Sequence, residues 1–238
     1  MCGRYVLATP IEELASYFAA RRAPELDRLW VASYNIAPTQ SVLCLVPDAG
    51  GGRLLDRYRW GLIPSWAKEA AIGSRLFNAR AETVAEKASF RGAFRAQRLA
   101  VLSDGFYEWR QGPGGRRQPF FLHRTDGQPM AFAGLWESWR DPRSVDDEAA
   151  WVRSCTIITT DANPEVAPIH DRMPVVLERD VLDAWLDPQV SGRNELEALL
   201  RPAPAGTLAV RAVDRRLGDV RNNGPELIED VASNGNQL

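Results

Sequence analysis

Short hydrophobic runs, each bounded by polar turn-forming residues, recur along the chain. Glycine-rich segments such as 47–52 and 111–115 separate them. Runs of this length between turn signals are typical of strands. The predicted strands are Ser41–Val46, Leu54–Trp60, Arg98–Ser103, Pro119–His123, Met130–Ala133, Trp151–Thr160, Pro174–Leu177 and Thr207–Val213.

Helical patterns are fewer. An apolar stripe over residues 11–18 follows Thr9-Pro10, where Thr9 suits the cap of a helix and Pro10 suits its first position. The other predicted helices are Ala81–Ala88, Arg179–Leu186 and Asn194–Leu200. Strands outnumber helices and do not alternate with them regularly. This predicts the α+β class, with a barrel-like, mostly antiparallel β core and helices packed outside.

Length and composition indicate a single domain. The chain has 238 residues, of which 45% are hydrophobic, enough for a substantial core. No internal repeat or long linker divides it. We expect one domain over residues 1–232, a flexible tail over 233–238, and a polar surface loop at Asp141–Ala150.

Several classes of protein are disfavoured by composition. The chain has three cysteines and two histidines, and they lack metal-ligand spacing. We therefore expect no disulfide framework, no metal site and no cofactor. The low cysteine count fits a reducing compartment. No run approaches the ~20 apolar residues of a membrane helix, and the first residues lack signal-peptide features. We therefore expect a cytoplasmic protein.

Charge is unevenly distributed. The net charge of −2 argues against a generic nucleic-acid binder. Yet residues 53–125 hold 14 Lys/Arg and 6 Asp/Glu, a balance of +8, while the remainder holds 15 and 25, a balance of −10. Two interpretations stay open: one positive groove on an acidic body, or ordinary solvated arginines.

The most unusual feature is a cysteine directly after the initiator methionine. Removal of Met1 would leave Cys2 with a free α-amine and a thiol on adjacent carbons, a 1,2-aminothiol. The α-amine titrates near ~8, so a useful fraction is neutral at cellular pH. Gly3 allows close approach to this end, and Arg4 places a positive charge beside it.

Three further stretches carry candidate chemistry. Trp60–Trp66 and Phe77–Glu82 place tryptophans near arginines, as single-stranded nucleic acid requires, although Trp60 is the better candidate for the core. In Asp104–Trp109 the aromatic neighbours of Glu108 should desolvate its carboxyl and prepare it for proton transfer. His170, in a polar loop after a buried strand, is a candidate acid or base.

These residues allow three hypotheses. Cys, Glu, His and Asn are the parts of a cysteine peptidase, acting on its own N-terminus or on other proteins. Alternatively, the amine and thiol of Cys2 together condense with an aldehyde, such as the ring-opened sugar of an abasic DNA site, and close a thiazolidine. In a plain binding module none of these residues reacts. The peptidase needs only the thiol and a base, whereas the crosslink needs the α-amine as well.

A set of motifs that spans nearly the whole chain resembles the SRAP (SOS response-associated peptidase) family, whose members sense abasic sites in single-stranded DNA. The motifs are Met1–Arg4, Tyr34–Thr39, Trp60–Pro64, Asn78–Glu82, Asp104–Trp109, His170–Pro174 and Val220–Pro225. Ser103, where the family has alanine, is the one departure beside a motif. The resemblance implies a compact α+β domain of bacterial type.

The resemblance also implies residue roles. Cys2 would form the thiazolidine crosslink, Glu108 would assist ring opening and proton transfer, His170 would be a second acid or base active in reversal or β-elimination, and Asn78 would hold Cys2 and the sugar. The residues expected to bind DNA are Arg80 and Arg172 on phosphates, Arg4 more weakly, and Trp66 and Pro38 against the flanking bases.

The partner implied is single-stranded DNA that contains abasic sites, also at junctions, bound by a monomer that associates with the nucleoid and not with membranes. Peptidase activity remains the alternative.

Overall fold

The computed structural model describes residues 2–48, 50–144 and 150–231. The expected tail at 233–238 and part of the expected loop Asp141–Ala150 lie outside these ranges. The strands are β1 Tyr5–Leu7, β2 Ala20–Arg22, β3 Ser33–Ile36, β4 Ser41–Pro47, β5 Arg53–Trp60, β6 Asn78–Arg80, β7 Arg98–Ser103, β8 Gly105–Gln111, β9 Arg117–Arg124, β10 Met130–Arg140, β11 Trp151–Asp161, β12 Arg172–Pro174 and β13 Leu208–Ala212. The α-helices are α1 Ile11–Tyr17, α2 Leu26–Leu29, α3 Arg91–Ala96, α4 Arg179–Leu186 and α5 Arg193–Ala198.

Five strands close into a barrel in the order β5-β4-β7-β10-β11. The pairs along this path are antiparallel, and β11 then closes the ring by pairing in parallel with β5 at Ser154 and Cys155. Closure leaves no unpaired edge within the ring. The predicted α+β class with a barrel-like, mostly antiparallel core is confirmed.

A second, antiparallel sheet of five strands lies beside the barrel in the order β13-β9-β8-β1-β3. Only Asp104 separates β7 of the barrel from β8 of this sheet. One face of the sheet joins the main core. The other is covered by the C-terminal segment, from which Val213, Leu217 and Leu227 pack on Tyr107 and Phe121. The N-terminal strand β1 therefore lies between two paired neighbours.

The strand β11 carries short strands on both edges. One edge of β11 pairs first with β5 and then, further along, with β6. The opposite edge pairs first with β10 and then with β12. Asn78 and Arg80 on β6, and Arg172 on β12, lie opposite alternate residues of β11. Paired residues share a face of the sheet, so these three side chains leave on the same side.

The helices pack outside, as predicted. Arg98 joins two of them to the barrel: it is 3% exposed and donates to carbonyl oxygens of Phe94, Arg95 and Trp185, and of two residues after α4. This buried guanidinium thereby satisfies the carboxyl ends of α3 and α4. Of the helices in the described part of the chain, none has the length and apolar character needed to span a bilayer.

Three local predictions are wrong. The strand predicted at Pro174–Leu177 lies earlier, as β12, and shares only Pro174 with the predicted range. Segment 81–88 forms consecutive turns instead of a helix, since only Val84 is buried there and Glu82 turns towards Arg172. The Thr9 hydroxyl does not cap α1. It donates instead to Asp104, and Pro10 occupies the cap position.

Candidate active site

The site is built around the N-terminal end of β1. Cys2 is fully buried, and the backbone after it pairs on both sides, with β8 and with β3. Burial raises the pKa of the Cys2 thiol well above its ordinary value, and the negative charge of Glu108 raises it further. The positive amino terminus and the Arg4 N–H act in the opposite direction. The thiol is therefore neutral at cellular pH.

Beyond β1, the chain is fixed by Asp104. Its carboxylate accepts hydrogen bonds from Ala8 N at 2.6 Å, Thr9 N at 2.9 Å and Thr9 Oγ1 at 2.7 Å. Ser103 Oγ donates to Val6 O at 3.2 Å. The bend between β7 and β8 thus determines where β1, and with it Cys2, lies.

Glu108 is 2% exposed, and burial raises its pKa to about 7, against the lowering effect of the amino terminus. The predicted desolvation is present but has a different source. Along a strand side chains alternate between faces, so Tyr107 and Trp109 point away from Glu108 and into the packing under the C-terminal segment. The residue paired with Glu108 across the sheet is Phe120.

Asn78 contacts Cys2 directly. Its Nδ2 donates to Cys2 O at 2.8 Å, which connects β6 to the N-terminal residue of the site. Asn78 Oδ1 is buried and accepts no hydrogen bond from any described residue. One end of this amide therefore holds Cys2, while the other end remains an available acceptor.

His170 lies in the loop between β11 and β12, partly buried. Its Nδ1 accepts a hydrogen bond from Arg172 N at 2.9 Å, and Asp171 Oδ1 is also 2.9 Å from this nitrogen. Burial lowers the pKa of His170, as does the positive amino terminus, whereas Asp171 raises it. The backbone N–H is fixed and the Asp171 side chain is exposed, so we assign a neutral ring with its proton on Nε2.

The four predicted catalytic residues come together. Asn78 bonds Cys2, the charge of Glu108 acts on the Cys2 thiol, and the charge of Asp171, the neighbour of His170, acts on Glu108. Within the described ranges, no three His, Cys, Asp or Glu side chains cluster closely enough to hold a metal. The arrangement offers a neutral thiol, a carboxyl that titrates near neutrality and a neutral imidazole at one end of a strand.

The two arginines predicted to hold phosphates have different surroundings. Arg172 is nearly buried and donates to both carboxylate oxygens of Glu82 at 2.9 Å, to Asp161 at 2.6 Å and to Thr159 O at 2.8 Å. Arg80 is exposed, and its side chain forms no hydrogen bond with any described residue. Of the two side chains, that of Arg80 is the more available to a phosphate, because a phosphate at Arg172 would compete with Glu82 and Asp161.

Arg4, Trp66 and Pro38 complete the predicted DNA-binding residues. Arg4 is partly buried, its Nε has no partner among the described residues, and burial lowers its pKa. Trp66 is 60% exposed, although its loop is anchored where Trp139 Nε1 donates to Ala67 O at 2.6 Å. Pro38 is partly buried in the turn before β4.

Sequence reasoning missed the residues that support this site. Asp104 was read only as part of a motif, and Asp171, Glu82 and Asp161 were given no role. The sequence did indicate a special position at Asp104, because this residue stands directly before a glycine, where the predicted strand Arg98–Ser103 meets the motif Asp104–Trp109. For Glu82 and Asp161 no signal existed, because their partner Arg172 is distant in sequence.

Known proteins resemble this chain over almost its full length. The profile of the family described as SOS response associated peptidase (SRAP) matches residues 1–220. Abasic site processing protein YoqW of Bacillus subtilis (strain 168) is 38% identical, covering 96% of this chain and 99% of YoqW. Abasic site processing protein YedK of Escherichia coli (strain K12) is 32% identical, covering 97% and 100%.

Solved structures agree in fold. A protein from Bacteroides thetaiotaomicron superposes with a TM-score of 0.85 at 24% identity, covering 96% of this chain and 99% of its own. A protein from Bordetella bronchiseptica reaches 0.74 at 27% identity, covering 90% and 100%. The predicted family is confirmed: this chain belongs to the SOS response associated peptidase (SRAP) family.

Proposed function

We propose that this protein processes abasic sites in single-stranded DNA by forming a covalent thiazolidine crosslink through Cys2 once Met1 is removed. Relatives named abasic site processing proteins support the substrate. The observation that carries the chemistry is the convergence of Cys2, Asn78, Glu108 and His170 at the start of β1.

The reaction proceeds by condensation. The neutral α-amine of Cys2 adds to the aldehyde carbon of the ring-opened sugar, and loss of one water gives an imine. The thiol then adds across the C=N bond: sulfur bonds to the carbon, and the thiol proton passes to nitrogen. A five-membered thiazolidine results, with one water released overall. Because the thiol is neutral, the amine attacks first.

Glu108 serves both proton transfers. With a pKa of about 7 it is present in both protonation states near neutral pH. Its acid form protonates the departing hydroxyl, and its carboxylate accepts the thiol proton during ring closure. His170 supplies Nε2–H as a second donor. Asn78 holds the Cys2 backbone through Nδ2 and offers Oδ1 to a sugar hydroxyl.

DNA binding falls to the residues around this end. Arg80 and Arg4 contact phosphates, Arg172 does so where a phosphate replaces Glu82 or Asp161, and Trp66 and Pro38 meet the flanking bases. A peptidase is the less favoured candidate, because the raised thiol pKa of Cys2 makes it a poor thiolate nucleophile.

The test is a denaturing gel with intact mass spectrometry. Protein confirmed to begin at Cys2 is mixed with a single strand bearing one abasic site, or with the same strand bearing a tetrahydrofuran analogue that lacks the aldehyde. We expect a heat-stable adduct with the abasic strand only, at the summed mass less one water. Cys2→Ala should form none.

Matched controls sharpen the result. Cys44→Ala removes another buried cysteine and should crosslink normally. Protein that retains Met1 has no free amine on Cys2 and should form no thiazolidine. An adduct of equal yield from Cys2→Ala, or none from correctly processed protein, would overturn the proposal.

A further inference from the structure

The described stretch between β5 and β7 is rich in cations without partners. Between β5 and β7, six Lys and Arg side chains are exposed and form no ion pair or hydrogen bond with any described residue. They are Lys68, Arg75, Arg80, Lys87, Arg91 and Arg95. Elsewhere, many arginines bind carboxylates or carbonyls, as Arg53, Arg124 and Arg221 do. This stretch also carries Trp66 and Asn78 of the proposed site.

The carboxylates of the same stretch do not neutralise it. Glu82 is occupied by Arg172 through both oxygens. Glu86 accepts from Arg193 at 2.8 Å. Glu69 remains, and it acts on Arg143. Against these three carboxylates stand the six Lys and Arg side chains, so residues 61–97 carry a charge of +3 on a chain whose net charge is −2.

Three of these cations form a ridge. Lys87, Arg91 and Arg95 are spaced four residues apart, and backbone hydrogen bonds from Lys87 N to Thr83 O and from Arg91 N to Lys87 O continue the helical turn into α3. Residues four apart share a helix face. Arg91 and Arg95 therefore lie on the exposed side of α3, away from its buried residues, and Lys87 precedes them in the turn that leads into the helix. These three side chains are here named the α3 ridge.

Two residues of the ridge border a cavity, and the helix that carries them is anchored at its end. Arg91 and Arg95 border a cavity of about 290 Å³ together with Arg193 and Ser191, over a floor that includes Phe94. The carboxyl end of α3 is fixed by Arg98, which donates to Phe94 O and Arg95 O. No aromatic side chain on this surface is exposed among the described residues, so it suits phosphates better than bases.

We propose that the α3 ridge binds the sugar–phosphate backbone of the DNA strand that flanks the lesion, extending the site beyond Arg80. This rests on the proposed function, because the occupant is the strand whose abasic site reaches Cys2. A polyanion of regular charge fits a row of unpaired cations, and contact with phosphates alone makes the ridge independent of sequence.

The test measures the salt dependence of equilibrium binding. The tetrahydrofuran strand is used, because it binds without crosslinking, in a short form and in forms extended to the 3′ or the 5′ side. The variant is Lys87→Gln/Arg91→Gln/Arg95→Gln. The control, Arg116→Gln/Arg117→Gln/Arg215→Gln, removes equal charge at exposed arginines outside the ridge.

Each lost phosphate contact on a single strand lowers the slope of log K against log salt by about 0.7, so the ridge variant should lose about 2 on one extended strand. On the short strand the slope of the ridge variant should equal that of the unmodified protein. The slope of the control variant should equal that of the unmodified protein on every strand. Arg95→Gln alone should lose about 0.7 of slope, which keeps the test valid if the triple variant folds poorly.

The proposal would be overturned if the ridge variant kept the unmodified slope on both extended strands, or if the control variant lost as much slope as the ridge variant. The proposed function fails separately: the unmodified protein would then form no adduct with the short abasic strand, whatever the salt slopes are.

Discussion

Glu108 is a carboxyl placed where its charge is disfavoured. Burial raises its pKa to about 7, so near pH 7 the folded protein holds a proton that the unfolded chain would release. The positive amino terminus favours the ionised form, but burial outweighs it and keeps the pKa raised. In the proposed mechanism, this loss of stability accompanies a group that can transfer protons at cellular pH.

Glu108→Gln should be more stable than the unmodified protein above neutral pH. The folded-state pKa is raised, so stability is lost as pH rises from about 4.5 to about 7. Above that window the variant should gain up to about 3 kcal/mol in free energy of unfolding, and below pH 4 the difference should vanish. Denaturant unfolding at pH 4 and pH 8 measures this.

The control is Glu229→Gln at an exposed position, which should change stability equally little at both pH values. A Glu108→Gln variant less stable than the unmodified protein at pH 8 would contradict the assignment, because its carboxylate would then be stabilising. Adduct formation should be slow in this variant even though the fold is firmer.

At the scale of elements, β1 is short and depends on its neighbours. Three residues form too few hydrogen bonds to hold a strand, so β1 gains its position from pairing on both sides and from Asp104 beyond its end. Cys2 lies at the other end of the same segment. Weakening the hydrogen bonds of Asp104 should therefore displace the thiol and the amine of Cys2.

Asp104→Asn should destabilise the protein and slow crosslinking. The carboxylate accepts three hydrogen bonds, and an amide loses the negative charge that strengthens all three of them. We expect a loss of about 1–3 kcal/mol in free energy of unfolding. The adduct rate at saturating DNA should fall, while binding to the tetrahydrofuran strand should change little.

Thr9→Val is the matched variant. It removes one of the three hydrogen bonds, so its losses in stability and in rate should be smaller than those of Asp104→Asn. If Asp104→Asn lost stability but kept the full adduct rate below its melting temperature, Asp104 would support the fold without positioning Cys2.

The elements that could be predicted are those whose local pattern agrees with their packing. Strands β4, β5, β7 and β11 were predicted nearly to their ends, because β4 and β7 are almost continuous hydrophobic runs and β5 and β11 are rich in aliphatic, aromatic and β-branched residues. Strand β6 has three residues and exists because β11 offers an edge. Segment 81–88 has helical composition, but its contacts to Arg172 and Arg193 prevail over propensity.

The same distinction applies to the site. Cys2, Asn78, Glu108 and His170 were found through motifs, and the structure brings them together. The reason given for the burial of Glu108 was wrong, because alternation in β8 sends its sequence neighbours to the other face. Neighbouring residues of a strand point to opposite faces and therefore need not be in contact. The residues that do contact each other lie on paired strands, and a single segment does not reveal its partner strand.

At the scale of the whole molecule, the barrel supplies rigidity and the second sheet presents the N-terminus. The outer face of that sheet would expose Tyr107 and Phe121 without the C-terminal segment that covers it. The covering segment carries little regular structure and is attached mainly through side chains. The motif Val220–Pro225, far from Cys2 in sequence, thus belongs to the support of the sheet that contains β1.

Asn35 is the main attachment of that segment. It is 2% exposed, and its Nδ2 lies within hydrogen-bond distance of Leu217 O, Asp219 O and Asn222 O at 2.9 to 3.2 Å. Asn35→Ala leaves these carbonyls without their donor, so we expect a loss of about 2–3 kcal/mol in free energy of unfolding. Amide exchange in residues 217–227 should accelerate before exchange in the barrel does.

Asn223→Ala is the comparison, since Asn223 Oδ1 accepts from Tyr34 N and Ser33 Oγ at an exposed position and water can replace it. Its loss should stay below about 1 kcal/mol. If Asn35→Ala accelerated exchange equally in the barrel strands, the covering segment and the barrel would unfold as one unit. If exchange accelerated only in residues 217–227, the segment would unfold independently of the barrel while supporting β3 and β1. Crosslinking should then decline on warming before the barrel unfolds.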